Sequence, residues 1–288
     1  MKKRDIKSLA EASIKILRSG KVKVKEQKIN LLPFIDESLE NSVVSRLNGI
    51  ISKEDVVIDT SDIKSEVNTT LTDELHTIEL MNRFKEFGVN INDNTVIITT
   101  TKNKATKLFD FLNDDIIGIL LRTSTLGSIY TNLSNEWTNL NKNDTTNFTN
   151  VLYIPKIMIF IDPRTGRIKN YPTYLNLLVI STPKAKDMTM NINTDNKDDS
   201  VITEVVPNED EQIARVIADI VDSVIVLGIK NIVLSPFSGK ILSEDKTLTS
   251  KLWSEMTSSQ RFIEHIERCM FAVNDDHDYV VFTAARSK

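Results

Sequence analysis

Two hydrophobic periods alternate along this chain, and their order sketches its elements. Residues 5–18 place Leu9, Ile14 and Leu17 near one face at helical spacing, and Gly20 follows as a stop. VKVKEQKINL (22–31) alternates at period two, as a strand or hairpin does. INLLPFIDESLENSV (29–43) predicts a short helix, and DVVID (55–59) a short strand. TLTDELHTIELMNRFKEFG (70–88) has a Thr/Asp start, helical apolar spacing and a terminal Gly88, the clearest helix signal in the chain. The β-branched run NTVIITTT (94–101) reads as a buried strand. DDIIGILLRTSTLGSIYTNL (114–133) reads as a helix that opens on two carboxylates and runs through an unbroken apolar stretch.

Beyond it, the pattern predicts a polar Asn/Thr-rich loop over 132–150 and two apolar runs with an Asp-Pro-Arg-Thr-Gly turn over 151–168. A buried strand follows over 174–182, stopped by Pro183, then a long polar loop over 184–210. A helix over 211–227 ends at Gly228, a strand begins NIVLSPFSGK (231–240), a helix covers 247–256, and DYVVFTA (278–284) closes as a strand. Strand, helix and strand in this order favour parallel pairing in one three-layer α/β domain. The strands around 96–101, 177–182, 232–235 and 280–283 should share one largely parallel or mixed sheet with helices on both faces. Residues 1–60 are expected to form a helical and hairpin extension packed on a core of residues 61–288.

Composition narrows the class. Of 288 residues, 40% are hydrophobic and 26% charged, enough for a sizeable core and against global disorder. No apolar run approaches the ~20 residues of a membrane span, and the polar alternation of MKKRDIKSLAEAS is unlike a secretion signal. A cytoplasmic location is therefore expected. One cysteine and three histidines leave no internal disulfide and argue against a Cys/His metal site, so neither metal nor cofactor is expected. Cys269 reads either as a buried thiol beside the last strand or as a nucleophile near His265 and His277. A net charge of −4 argues against nucleic acid as a partner. The charge is unevenly spread: residues 1–30 are lysine-rich and 195–211 acidic, either solvated surface or complementary patches for contact between copies.

Several strings, in order, resemble the microbial-type poly(ADP-ribose) glycohydrolase family, whose core is a macro domain. LAEASIKILRSGKVKV with INLLPFIDESLENSV resembles its opening helix, strand and short helix, and RTSTLGSIYTNL the part of its catalytic helix after the reactive glutamates. VLYIPKIMIFIDPRTGRI is similar to its Tyr-Ser-Pro hairpin. LLVISTPKAKD resembles its strand ending in a Ser-Pro turn, and ARVIADIVDSVIVLGIKNIVLSPFSGKIL its long helix and phosphate-loop strand. The resemblance implies a fold and a ligand of the ADP-ribose type. Its candidate ligand residues here are Arg122, Thr182, Ser235, Phe237, Ser238, Gly239 and Lys240. Each has a plainer reading: Arg122 with Thr123 and Ser124 as a helix's polar face, Phe237 as core, and 235–240 as an ordinary strand-to-helix loop.

The departures concern the chemistry. Setting Arg122 on the family's helix arginine puts Ile117 and Gly118 at its two glutamate positions, and KATKLFDFLNDD (104–115) lacks its glycine triplet. Cleaving a ribosyl C–O bond needs a carboxylic acid within hydrogen-bond reach of the leaving oxygen. Isoleucine and glycine supply none. Asp114 and Asp115 are the weak catalytic candidates, but a shift of three residues rotates a side chain by most of a turn, and helix-start aspartates complement the helix dipole. The expectation is a catalytically degenerate protein, from a viral or phage-like lineage, acting in protein binding or self-association. The alternatives are an ADP-ribose sensor and a residual glycohydrolase using displaced carboxylates.

Overall fold

The computed structural model describes residues 3–47, 65–73, 77–78, 95–102, 115–142, 149–182, 209–235 and 245–285. The elements run α1 Lys3–Ser19, β1 Lys21–Val24, β2 Gln27–Asn30, α2 Leu32–Glu40, β3 Val43–Leu47, β4 Glu66–Leu71 and β5 Thr95–Lys102. Then come α3 Ile116–Thr123, α4 Leu126–Lys142, β6 Thr149–Ile161, β7 Ile168–Thr182, α5 Glu209–Val226 and β8 Asn231–Leu234. The chain closes with α6 Lys246–Thr257, α7 Gln260–His265, β9 Arg268–Val273 and α8 Asp276–Ala284.

The architecture is α/β, a mixed sheet between two layers of helices. β1 and β2 form a separate hairpin, and the other seven strands form one sheet in the order β3-β6-β7-β5-β8-β9-β4. β7, β5, β8, β9 and β4 are mutually parallel, while β6 pairs antiparallel with both β7 and β3. The period-two rule explains the layers. Ile97, Leu177, Val179 and Val233 join one buried core with Leu9, Leu120 and Leu126 from α1, α3 and α4. Their strand neighbours Val96, Ile98, Leu178, Ile232 and Leu234 join the other with Ile217, Trp253 and Phe262 from α5, α6 and α7. At roughly 1.5–3 kcal/mol for each large side chain removed from water, both faces must be covered.

Polar stitching fixes register where the ladder breaks. Pro155 offers no N–H, and the β6–β7 register slips between Ile154 and Ile157, with Lys156 at φ 54°. Asn176 repairs the gap: its Oδ1 accepts from Lys156 N at 2.9 Å and its Nδ2 donates to Thr95 O at 2.9 Å, joining three strands. α1 ends where Gly20 adopts φ 65°, and α5 where Gly228 adopts φ 68°.

The strands expected at 96–101, 177–182 and 232–235 lie in the central sheet. The fourth does not. Residues 278–284 belong to a helix, α8, whose start is capped by the Asp275 carboxylate accepting from Asp278 N at 2.8 Å. An apolar Val-Val-Phe run suits a strand or a helix alike, and the cap decides here. The last strand is β9, containing Cys269, which is a buried thiol. The loop expected over 132–150 is largely the second half of α4, held by Leu133 and Trp137 in the core and Leu140 packed against it, one helical face amid polar residues. Edge strands β3 and β4, with mixed exposed patterns, had no sequence expectation. β3 lies within the first 60 residues and still forms an outer strand of the central sheet. For the helix expected over 70–88, Thr70 and Leu71 end β4, while Thr77 and Ile78 are helical, with Thr77 N donating to Asp73 O. The rest of it, the strand expected at 55–59 and the loop residues 184–208 lie outside the described residues.

Candidate functional site

In a parallel α/β sheet, ligands bind at the carboxyl ends of the strands, where loops and helix amino termini converge. Here that edge is marked by Thr99 and Thr100 of β5, Ser181 and Thr182 of β7 and Ser235 just beyond β8, with the antiparallel β6 contributing its first residues, Thr149 and Asn150. Thr99, Thr100, Ser181, Ser235, Thr149 and Asn150 are all buried. Ser235 N donates to Ile98 O at 2.9 Å, which prolongs the ladder by one residue. Two hydroxyls, Thr100 Oγ1 and Ser235 Oγ, are buried with no hydrogen-bond partner among the described residues. Buried hydroxyls are ordinarily hydrogen-bonded, so a water, a ligand or a group beyond the described residues would answer these two.

α3 returns from this edge toward the opposite end of the sheet. Its last residues meet β6 far from the edge: Ser124 bridges Ile159, Thr125 N donates to Met158 O and Met158 N to Thr125 Oγ1. Its amino terminus is therefore the end nearer this edge. There Asp115 is the cap, its carboxylate accepting from Gly118 N at 2.7 Å. That bond answers one of the backbone donors that make a helix start an anion site. Asp114 lies outside the described residues.

The helix itself is buried along its whole length, as its unbroken apolar run demands. Ile117, at 3% exposure, packs within the core. Arg122 is also buried, at 4% exposure, in the last turn, where a cation complements the negative end of the helix dipole. The Arg-Thr-Ser segment is thus no exposed polar face. Thr123 Oγ1 donates to Ile119 O at 2.8 Å, and Ser124 Oγ to Leu120 O at 2.6 Å while accepting from Leu126 N. The two hydroxyls close α3 and open α4. Of the other sequence candidates, Thr182 ends β7 and Ser235 follows β8, so the sheet brings both to the same edge. Phe237, Ser238, Gly239 and Lys240 lie outside the described residues.

One acidic group near this edge had no sequence expectation. Asp219 of α5 accepts a hydrogen bond from Thr149 Oγ1 at the start of β6 and is 4% exposed. Burial pushes its carboxyl up to about 6, with the nearby Asp222 raising it further and the Thr149 bond and Arg215 opposing. Asp222 is also raised by burial, against the pull of Arg261, whose guanidinium lies 2.6 Å away. The signal was present in sequence: Asp219 stands beside the apolar positions Val216 and Ile220, where a helix turns inward. Among the described residues, no group of three or more His, Cys, Asp or Glu could hold a metal, and no helix is long and apolar enough to cross a membrane.

No protein-family model matches the sequence, and no curated protein matches it. Solved structures do. The poly(ADP-ribose) glycohydrolase of Thermomonospora curvata aligns with a TM-score of 0.71 at 13% identity, covering 98% of this chain and 99% of that one. The same protein bound to the inhibitor ADP-HPD aligns with a TM-score of 0.68 at 12% identity, over 98% and 99% of the two chains. The poly(ADP-ribose) glycohydrolase of Deinococcus radiodurans in complex with ADP-ribose aligns with a TM-score of 0.56 at 14% identity, over 88% of this chain and 95% of that one.

Proposed function

We propose that this chain, which has the macro-like mixed-sheet fold of the microbial poly(ADP-ribose) glycohydrolases, is a catalytically degenerate protein on that scaffold. It acts through protein binding or assembly rather than glycosidic cleavage. The observation that carries the proposal is Ile117. The position that the resemblance assigns to a glutamate is occupied by an apolar side chain in the core, and the next, Gly118, has no side chain at all. Asp115 accepts from Gly118 N, and protonating it to act as an acid would weaken the bond that caps α3. The test is release of ADP-ribose from a poly(ADP-ribosyl)ated protein. Release no faster than in buffer is expected, because a general acid typically contributes about 10²–10⁴-fold. Turnover that disappears on Asp115→Asn or Asp114→Asn overturns the proposal in favour of displaced carboxylates.

A second reading, binding of an ADP-ribose-type nucleotide without cleavage, draws support from the Thr100 and Ser235 hydroxyls left without partners at the sheet edge among the described residues. The Deinococcus radiodurans protein has been seen in complex with ADP-ribose. Titration calorimetry with ADP-ribose decides it: saturable heat, weakened by Ser235→Ala, supports a binder, and no heat at millimolar ligand removes the reading.

A further inference from the structure

We infer that the β1–β2 hairpin is a docking surface for a second copy of this chain, and that its occupant is that copy's acidic stretch, residues 195–211. The inference rests on the protein-binding reading above and specifies its surface. Residues alternate out and in along β1, so Lys21 and Lys23 are exposed while Val22 and Val24 are buried. The hairpin register sets Lys23 directly opposite Lys28, on the same outward face. Like charges in that relation destabilise a hairpin, and among the described residues only the highly exposed Glu26 forms an ion pair with Lys23, at 3.7 Å. The two-residue turn adds strain, because Lys25 occupies the left-handed region at φ 53° where a side chain is disfavoured. In that conformation its ammonium donates to Tyr171 Oη at 2.9 Å, and Tyr171 remains 73% exposed. The surface therefore carries exposed lysines on the hairpin, with Lys25 at the turn seated against the exposed Tyr171 ring, in spite of charge repulsion and backbone strain. An anionic partner relieves the first of these.

The fold places the last three acids of that stretch, at the start of α5, at the far end of β7. β7 starts beside the hairpin and ends at Thr182, so Tyr171 and Thr182 are roughly 35 Å apart at strand rise. α5 leads through Gly228 into the start of β8, which puts its amino terminus at the Thr182 end. The Asp219 contact with Thr149 agrees with this sense, since Thr149 precedes the Asn150–Ser181 pair. Glu209, Asp210 and Glu211 open α5 there, and they complete a stretch with seven acids (Asp195, Asp198, Asp199, Glu204 and these three) against one lysine, Lys197. Two copies satisfy both patches at once when they lie side by side and antiparallel about a two-fold axis; head to tail, each pair makes one such contact, which closes into rings or continues as open arrays. A polyanion such as nucleic acid shares the basic-face chemistry, but the chain's own matching acidic end favours a second copy.

Sedimentation velocity of the full-length protein at 50 and 500 mM salt, over a range of concentration, tests this directly. Association at low salt that falls at high salt is expected, as is a loss of roughly tenfold or more in association constant for Lys23→Glu with Lys28→Glu, since several exposed pairs must act together. Asp198→Lys with Asp199→Lys should weaken association similarly. Mixing the two variants should restore a complex, because each keeps the patch that the other has reversed. Strict monomers at low salt and high concentration overturn the inference, as does association indifferent to salt and to both reversals. Monomers that bind an oligo-dT strand through the hairpin lysines overturn it in favour of nucleic acid. None of these outcomes touches the non-hydrolytic reading, which stands or falls on ADP-ribose release.

Discussion

Replacing Asp219 with asparagine is the most direct probe of how the carboxyl edge of the sheet is held. The carboxylate is 4% exposed, accepts from Thr149 Oγ1, and is shifted by burial from 3.8 to about 6. A folded-state pKa above the unfolded value means that the folded protein holds the extra proton between those limits. This group's favourable contribution is therefore complete below pH ~4, falls as pH rises through about 6, and is absent above it. A rise from 3.8 to about 6, at 1.36 kcal/mol per pH unit, corresponds to about 3 kcal/mol of penalty at pH 8. The substituted amide would keep the shape, still accept from Thr149 through its carbonyl, and carry no charge. Asp219→Asn should therefore be more stable than the parent by about 1–3 kcal/mol at pH 8, the lower bound allowing for an amide N–H₂ short of acceptors. At pH 4 the two proteins should be nearly equal. Urea unfolding at half-unit steps from pH 4 to 8 measures this, with the m-value checked for constancy. A variant less stable at pH 8, or a difference that does not change with pH, would refute the reasoning. Either result would mean that Thr149 and Arg215 stabilise the carboxylate enough to offset its burial.

Two further substitutions test parts of the same frame. Asp115→Ala removes the carboxylate that caps α3 and should lower stability by about 1 kcal/mol, read as a shift in urea midpoint, while Asp115→Asn should retain most of it. Trp253→Ala empties a fully buried site where the indole packs edge-on to Phe271 at 5.5 Å between ring centroids; it should lose about 3–5 kcal/mol, measured by thermal or urea unfolding, and a loss under 1 kcal/mol would show that the helical layer collapses to fill it.

What the sequence determined by itself was the set of elements whose pattern admits one reading. The α1 stripe with Gly20, the KVKV alternation of β1 and the β-branched run of β5 each carry their period, their stop or their composition locally. The two-sided apolar strands also required helices on both faces, because neither face could be left in water. The absence of glutamates at 117 and 118 was legible too, since a missing functional group needs no coordinates to be seen.

The tertiary structure decided whatever depended on a neighbour. Tyr279, Val280, Val281 and Phe282 lie on a helix because Asp275 caps it and Lys246 bridges Asp275 and Asp278, a partner brought from 29 residues away. β3 and β4 are strands because β6 and β9 offer them a ladder, not because their own mixed residues demand one. α3 read in sequence as two-faced, yet it is buried on all sides, since α1, α4 and β6 surround it and its hydroxyls turn back onto its own carbonyls. The pairing of Asp219 with Thr149 spans 70 residues, and so does the physics that moves its proton. Hydrophobic period is a property of a segment. Strand pairing, capping across the fold and the desolvation of a charge are properties of what folding places beside it.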